Sequence, residues 1–372
     1  MHVLIAPNAF KNSLDAATAA EAIEKGLHRS QSQYTTTCFP VADGGDGTAA
    51  LLVKHLKGKH ESIKVLDPLG RKITAPLGLI GEDTTVIELA DASGLRLLKP
   101  AEYAPLHTTT FGTGELIREA FNRKVTKLIL CVGGSATVDG GAGMLKALGM
   151  RFLDSEGQEI TDLPNGLIRL SSIDNSRFIS KPSGMDIVVL CDVENILLGP
   201  QGAAAVFGPQ KGASLKDVLV LDKCLSGLRD IALQSGGRDM NNVKHGGAAG
   251  GIAAALHTFL DAKLVNGIDY FLDITGFEKV LQRSDVVITG EGSIDSQTLQ
   301  GKGPFGVARL AKQYYLRVIG MAGKIASDEA LLPYFDKLVP INGPGTDIET
   351  ALKNTYINLE KAAYTLGQNG LS

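Results

Sequence analysis

Tryptophan is absent from the 372 residues, and aromatic side chains make up only 5% of them. A core must therefore be filled by Leu, Ile, Val and Ala; hydrophobic residues reach 44%, ample for that purpose. No basic run occurs and the formal charge is −3, so nucleic acid and an anionic membrane are poor partners. No segment approaches the roughly 18 consecutive apolar residues of a membrane span. The opening "MHVLIAPNAF" lacks the basic region, long apolar stretch and cleavage site of a secretory signal. A soluble, cytoplasmic protein is expected. The four cysteines, Cys38, Cys131, Cys191 and Cys224, are far apart. With no CxxC and no His at metal-site spacing, thiolate zinc is not expected. Cys38, Cys131 and Cys191 sit in apolar runs and read as free buried thiols. GxxxxGK[ST] is missing too, which removes the Walker-type phosphate loop.

Glycine, by contrast, is plentiful at 44 residues, clustered in loops and without a collagen period. The length suggests two domains of ordinary size. "VLIAP" and "TTCFPVA" read as strands, each followed by a helical pattern, with Ser13 as N-cap of the first helix. Such a β-α-β-α opening predicts parallel strands. From about residue 62 the texture changes to short alternating runs split by "DPLG", "APLG" and "GED", which suggests hairpins. From 285 the opening texture returns with "DVVITGEG", "FGVARLAKQY", "RVIGMAG", "DEALLPYF" and "KLVPI", and "IETALKNTYINLEKAAYTLGQ" reads as one long last helix. The expected architecture is α/β. A Rossmann/flavodoxin-like parallel-sheet domain, 1–62 with 285–372, carries an inserted mixed α/β domain at 63–284.

Five loops that follow predicted strands combine glycine with acids, hydroxyls or lysine. They are "PNAFKNS" (7–13), "VADGGDGT" (41–48), "VGGSATVDGGAG" (132–143), "LCDVEN" (190–195) and "TGEGSIDSQTLQGKG" (289–303). Ligands of parallel α/β sheets sit beyond the carboxyl ends of the strands. Glycine there lets backbone N–H groups approach phosphate, and carboxylates suit Mg²⁺. Together these groups meet the needs of phosphoryl transfer: neutralised charge, aligned oxygens and a deprotonated hydroxyl. Plainer readings stand beside this one: Asp43 and Asp46 as turn formers, Asp192 and Glu194 as solvated strand-end acids, and "HGGAAGG" as a packing loop. His107 and His245 read as satisfied polar residues. "GKGPFG" (301–306) matches the dinucleotide fingerprint GxGxxG but does not directly follow a strand.

"IAPNAFKNSL", "PVADGGDGT", "DPLG", "TTTFGTGELIREA", "VGGSATVDGGAGML", "GGAAGG" and "VITGEGSIDSQTLQGKGPFGVARLAK" occur in this order over nearly the whole chain. Together they resemble the bacterial glycerate kinase family, type 1, whose first loop would carry an Asp-Ser-Phe-Lys-Gly type of sequence where this chain has "PNAFKNS". The resemblance implies a two-domain α/β kinase with its active site in the interdomain cleft. It also implies ATP and glycerate as substrates, a lean toward 2-phosphoglycerate as product, and a place in glycolate, glyoxylate or sugar-acid breakdown.

The chemistry of those substrates then distributes roles. Asp192, Asp43, Asp46 and Lys11 are candidate catalytic groups, with Asp192 first for base or metal ligand. Asp192, Asp295 and Glu291 are candidates for Mg²⁺. Gly133, Gly134 and Ser135 form a candidate phosphate cradle. Thr110, Gly112 and Thr113 open a helix that suits an anion, and Lys302 and Ser13 complete the binding set. The glycines of 44–47 leave Asp43 and Asp46 with little side-chain cover, so Asp43→Asn should cost rate and hardly any stability. Two other classes remain: an NAD-dependent dehydrogenase of a hydroxy acid, resting on "GKGPFG", and a non-catalytic two-domain binding protein. The apolar last helix caps either the core or a homodimer interface.

Overall fold

The computed structural model of the chain describes residues 1–30, 33–235, 238–296 and 298–371; Gln297, in the last of the glycine loops, lies outside them. The chain divides into two compact units, Met1–Asp43 with Gly267–Ser372, and Gly44–Asn266. The edges expected at 62 and 284 thus fall earlier. Residues 44–62 group with the second unit because Lys59–Leu66 pairs antiparallel with Lys72–Ile80 along its whole length. The helix Thr48–His55 packs on that same sheet. Residues 267–284 group with the first unit, where Phe277 is buried edge-on against Phe39, ring centroids 5.1 Å apart.

The first unit holds a five-stranded sheet, wholly parallel. Its order is Lys337–Pro340, Arg317–Ile325, Val286–Ile294, His2–Ile5, Thr35–Cys38. Val3, Leu4 and Ile5 are fully buried, as expected of a parallel strand covered on both faces. Numbered along this unit, the strand order is 2-1-3-4-5, the flavodoxin-like arrangement. Connections leave in opposite directions from His2–Ile5 and Val286–Ile294, so a crevice opens beyond their carboxyl ends. The loop that starts at Ala6 and the segment that follows Ile294 begin there.

The second unit has a six-stranded mixed sheet. Lys59–Leu66, Lys72–Ile80 and Thr84–Glu88 form an antiparallel meander, and Lys127–Cys131, Asp186–Cys191 and Lys263–Asn266 extend it in parallel. "DPLG" makes the first hairpin turn. Gly70 takes φ 80°, and the Asp67 carboxylate accepts from the Leu69 and Arg71 N–H groups at 2.9 and 2.8 Å. The strands follow one another in chain order, so this sheet has no switch point. Its parallel strands aim the loops 132–141 and 192–197 from one edge.

Local chemistry shifts several expected boundaries. Asp15, not Ser13, caps the first helix, Ala16–Arg29, accepting from Thr18 N–H at 2.8 Å. "DEALLPYF" supplies only the short turn Glu329–Leu331. The last helix breaks at Asn354 into Ile348–Lys353 and Thr355–Gln368. Leu359 and Ala363 are buried as periodicity suggests, whereas Ile348 is 79% exposed. Cys38 is exposed because its strand is an edge of the sheet; Cys131, Cys191 and Cys224 are buried, and all four are free thiols.

The helix Thr355–Gln368 lies against Ala16–Arg29 at Gly26. A methyl group there would run into the Glu360 carbonyl and stand 2.7 Å from the Ala363 Cβ. Alanine would gain up to about 1 kcal/mol in helix propensity, but overpacking typically costs about 1–3 kcal/mol. Gly26→Ala is therefore expected to lower the denaturant midpoint; a raised midpoint would show that this helix pair separates freely.

Candidate functional site

Polar loops gather in each unit. In the first they collect at the switch point. The Asp43 carboxylate accepts from Asn8 Nδ2 at 2.9 Å and from the Gly303 N–H at 3.0 Å, at the start of helix Gly303–Gln313. It is 9% exposed, so the expectation of an uncovered turn aspartate fails for Asp43: a side chain and a helix terminus enclose it. Glu291 lies near the end of Val286–Ile294 and accepts from Thr298 Oγ1 at 2.9 Å. Burial pushes its carboxyl up to about 7, with Asp43 and Asp295 adding to the rise and Lys302 and Thr298 opposing it. Asp295 accepts from Ser293 Oγ at 3.2 Å. Asp43, Glu291, Asp295 and Lys302 are thus brought together. Lys11 is exposed, and Ser13 Oγ donates to the Leu352 carbonyl at 2.6 Å, so neither joins this group through a described contact.

That arrangement bears on "GKGPFG". Gly303 opens a helix, yet its N–H, which a dinucleotide pyrophosphate would need, points at Asp43. Gly306 serves packing, since a Cβ there would meet the Ile268 side chain.

In the second unit the loop after Lys127–Cys131 folds over 44–46. The Gly133 N–H donates to the Gly44 carbonyl at 2.9 Å. A Cβ at Gly134, which has φ 71°, would collide with the Asp46 carboxylate, so that carboxylate lies directly against this glycine. Asp46 is exposed, as expected. Ser135 Oγ accepts from Lys211 Nζ at 2.6 Å, and Lys211 donates also to the Thr137 carbonyl at 2.7 Å. Lys211 is 3% exposed. Burial lowers its ammonium to about 7 against the pull of Asp139 and Asp192. Asp192 is half-buried just past Asp186–Cys191. Gly133, Gly134, Ser135, Asp46 and Asp192 therefore belong to one neighbourhood, with Lys211 as a member that sequence reading missed.

Thr110, Gly112 and Thr113 do not join it as open anion ligands. Asp139 is fully buried and accepts from the Thr110 N–H and Oγ1, both at 2.8 Å, and from the Gly141 and Gly143 N–H groups at 3.0 and 3.1 Å. A Cβ on Gly112 would strike the Leu66 carbonyl, and Thr113 Oγ1 shares a 2.8 Å hydrogen bond with Ser93. The chain's own carboxylate thus occupies the position offered to an anion. Glu88 repeats the device: it accepts from the Gly47 and Ala49 N–H groups at 2.8 and 3.1 Å, and burial raises its carboxyl to about 7. Glu88 carries no sequence signal, because its partners come from a distant loop; Asp139 lies in the loop 132–143, but its bond to Thr110, 29 positions earlier, is not readable there. "HGGAAGG" is a packing loop: Cβ atoms at Gly247 and Gly250 would strike the Ile196 and Thr137 carbonyls.

Among the described residues no group of three or more His, Cys, Asp or Glu could hold a metal ion. Glu291 and Asp295 are the oxygen donors gathered in the first unit, the ligand type of a hard cation.

A carboxyl raised from 4.5 to about 7 holds its proton more tightly in the native state than in the unfolded one. Its contribution to stability is full below about 4.5 and is lost as pH rises toward 7. Glu88→Gln cannot ionise, so the plot of unfolding free energy against pH should be flatter than wild type between pH 5 and 7, by roughly 3 kcal/mol at most. Parallel curves for the two proteins would place the Glu88 titration elsewhere.

The likeness to known proteins covers the whole chain. The model of the glycerate kinase family matches residues 3–369. A glycerate kinase of Bacillus subtilis (strain 168) is 45% identical over 366 residues, 98% of this chain and 96% of the relative. A glycerate 2-kinase of Escherichia coli (strain K12) is 40% identical over 366 residues, again 98% and 96% of the two chains. A crystal structure from Salmonella typhimurium LT2 assigned as a glycerate kinase 2 superposes with a TM-score of 0.83 at 41% identity, covering 99% of this chain and 98% of that one. No described helix is long and apolar enough to cross a membrane. Motif order, strand topology and likeness along its full length agree that this chain belongs to the glycerate kinase family of phosphotransferases.

Proposed function

We propose that the protein transfers the γ-phosphoryl group of ATP to the 2-hydroxyl of glycerate in the presence of Mg²⁺. The observation that carries this reading is the 40–45% identity, over 98% of the chain, to proteins named glycerate kinase and glycerate 2-kinase. The polar groups of the two units divide the chemistry. In the first, Glu291 has a carboxyl near 7, the range in which a base accepts a hydroxyl proton yet releases it again. Asp295, beside it, would hold Mg²⁺ on the nucleotide, and the ion would neutralise developing charge on the phosphates. Lys302 is the nearby cation for a phosphate or for the glycerate carboxylate. Asp43 orients the start of helix Gly303–Gln313 and thereby Lys302, the residue that precedes it.

In the second unit the Gly134 and Ser135 backbone and the Ser135 hydroxyl cradle phosphate oxygens, with Gly133 tied to the Gly44 carbonyl, and glycine is required at 134 because any side chain would displace Asp46. Asp46 and Asp192 supply carboxylates to the same neighbourhood. Neither the dehydrogenase nor the non-catalytic binding protein gains an observation of its own.

Purified protein with glycerate, ATP and Mg²⁺ should release ADP only when glycerate is present, and phosphorus NMR should show 2-phosphoglycerate. A 3-phosphoglycerate signal would overturn the choice of hydroxyl, and glycerate-independent ADP release would overturn the substrate. Excess chelator should abolish turnover and Mg²⁺ or Mn²⁺ restore it; undiminished turnover in chelator would remove the metal.

Substitutions separate chemistry from folding. Asp46→Asn and Asp192→Asn should each lower kcat on the order of 10²–10⁴-fold; Asp46→Asn should alter stability by about 0.5 kcal/mol or less, whereas Asp192→Asn should also lower the thermal midpoint, because its carboxylate supports the buried Lys211 ammonium. Asp43→Asn should lower both kcat and the thermal midpoint, because its carboxylate also holds Asn8 and Gly303. Normal kcat in Asp46→Asn would reduce that residue to a turn former.

A further inference from the structure

Lys211 is the least expected member of the second unit's polar group. It ends the short turn Pro209–Lys211, closed by a Gly208 carbonyl bond at 3.0 Å and by Gly212 at φ 96°. A Cβ on Gly212 would overlap the Tyr103 carbonyl, so the turn is locked in place. From there the side chain reaches Ser135, 76 positions earlier, and is buried along its length. The backbone around Ser135 is clamped independently: Ala136 N–H donates to Ser93 O and Leu95 N–H to Gly134 O, both at 2.9 Å. Lys211 bonds backbone only further on, at the Thr137 carbonyl. What it fixes is the Ser135 hydroxyl.

We propose that Lys211 is a positioning residue of the phosphate loop, one that turns the Ser135 hydroxyl hydrogen toward an anionic oxygen of the ligand. The inference rests on the reading of Gly133–Ser135 as a phosphate cradle. An ammonium only donates. Because Lys211 fills an acceptor position on Ser135 Oγ, that oxygen keeps its own hydrogen for another partner, and the adjacent positive charge makes it a stronger donor. The Thr137 carbonyl takes a second ammonium hydrogen and fixes the direction of the first. Burial of a lysine is costly, and an apolar side chain would serve packing as well or better; a directed, charge-assisted donor explains its presence.

Charge on Lys211 is conditional. Burial opposes it, the carboxylates of Asp139 and Asp192 support it, and the balance lies at about 7. Ser135 and Thr137 present only oxygen acceptors to it, and these favour the ammonium. The hydroxyl is therefore most strongly oriented on the acid side of the Lys211 titration, and a bound phosphate extends that range upward.

The test is a double-mutant cycle on kcat/KM for ATP, with wild type, Ser135→Ala, Lys211→Met and the double variant, each checked for folding by circular dichroism. Ser135→Ala and Lys211→Met should each lose roughly ten- to a hundredfold, in line with a hydrogen bond to a charged group. The double variant should lie within about threefold of the worse single variant, since both remove one shared function. Losses that multiply would overturn the proposal while leaving the cradle intact. An unchanged kcat/KM in Ser135→Ala would remove the cradle at that residue, and this proposal with it. If Lys211→Met fails to fold, the pH profile decides. Wild type should lose kcat/KM on the alkaline side as Lys211 gives up its proton, and Ser135→Ala should lack that limb; the same limb in both overturns the proposal.

Discussion

Buried carboxylates at the starts of helices are the constraint on which the polar loops depend. Asp43 holds Gly303, Glu88 holds Gly47 and Ala49, and Asp139 holds Gly141 and Gly143. Each satisfies backbone N–H groups that a helix start leaves without intrahelical partners, and each gains from the helix dipole. Each also sits where desolvation is expensive, which raises the carboxyls of Glu88 and Asp139. The chain tolerates that cost because glycine loops cannot hold their own shape. A run such as "DGGDG" has no side chains to pack, and the carboxylates provide the missing anchors.

The same device closes these helix starts to an outside anion. Helix N-termini are ordinarily ready anion sites, yet these three already carry an anion belonging to the chain. In the proposed reading, phosphate recognition falls instead to the loop Gly133–Ser135, supported by Lys211, and to Lys302 on the first unit. The acids proposed for chemistry are ones not spent on helix starts: Glu291 and Asp295 in the first unit, Asp46 and Asp192 in the second. This separation of anchoring from reacting carboxylates gives Asp43 and Asp46, three residues apart, different duties. Asp43 belongs to one unit and Asp46 to the other, with the chain passing between units at Gly44.

Strand topology gives the first unit its site. All five strands are parallel, and the order 2-1-3-4-5 places a reversal of winding between His2–Ile5 and Val286–Ile294. Asn8 follows one strand and Glu291 lies near the end of the other, which is how residues 283 positions apart in chain, such as Ala6 and Thr289, come to share a 2.8 Å hydrogen bond.

The strands and most helices were legible in the sequence, because short apolar runs between glycine loops leave few alternatives to buried parallel strands. The hairpin turns at "DPLG" and "GED" were legible from turn chemistry, whereas "APLG" lies inside the strand Lys72–Ile80; the acidic, glycine-rich character of the loops that identifies the family was legible too. Other features were decided only by tertiary structure. A β-α texture does not say which sheet a helix packs on, so Thr48–His55 joined the second unit and moved its edge to Gly44. Whether a loop acid reacts or anchors depends on which N–H groups meet it, and that separated Asp43 from Asp46. Ser13 and Thr110 carry hydroxyls suited to phosphate, but neighbouring carbonyl and carboxylate groups claimed them first. Lys211 and Glu88 lay in stretches with no motif, and Asp139, though inside "VGGSATVDGGAG", gave no sign of its anchoring part, because their importance comes from contacts across 76, 41 and 29 positions of chain. Local patterns encode elements and loop chemistry; contacts between distant segments decide which polar groups meet, and burial then sets their charge.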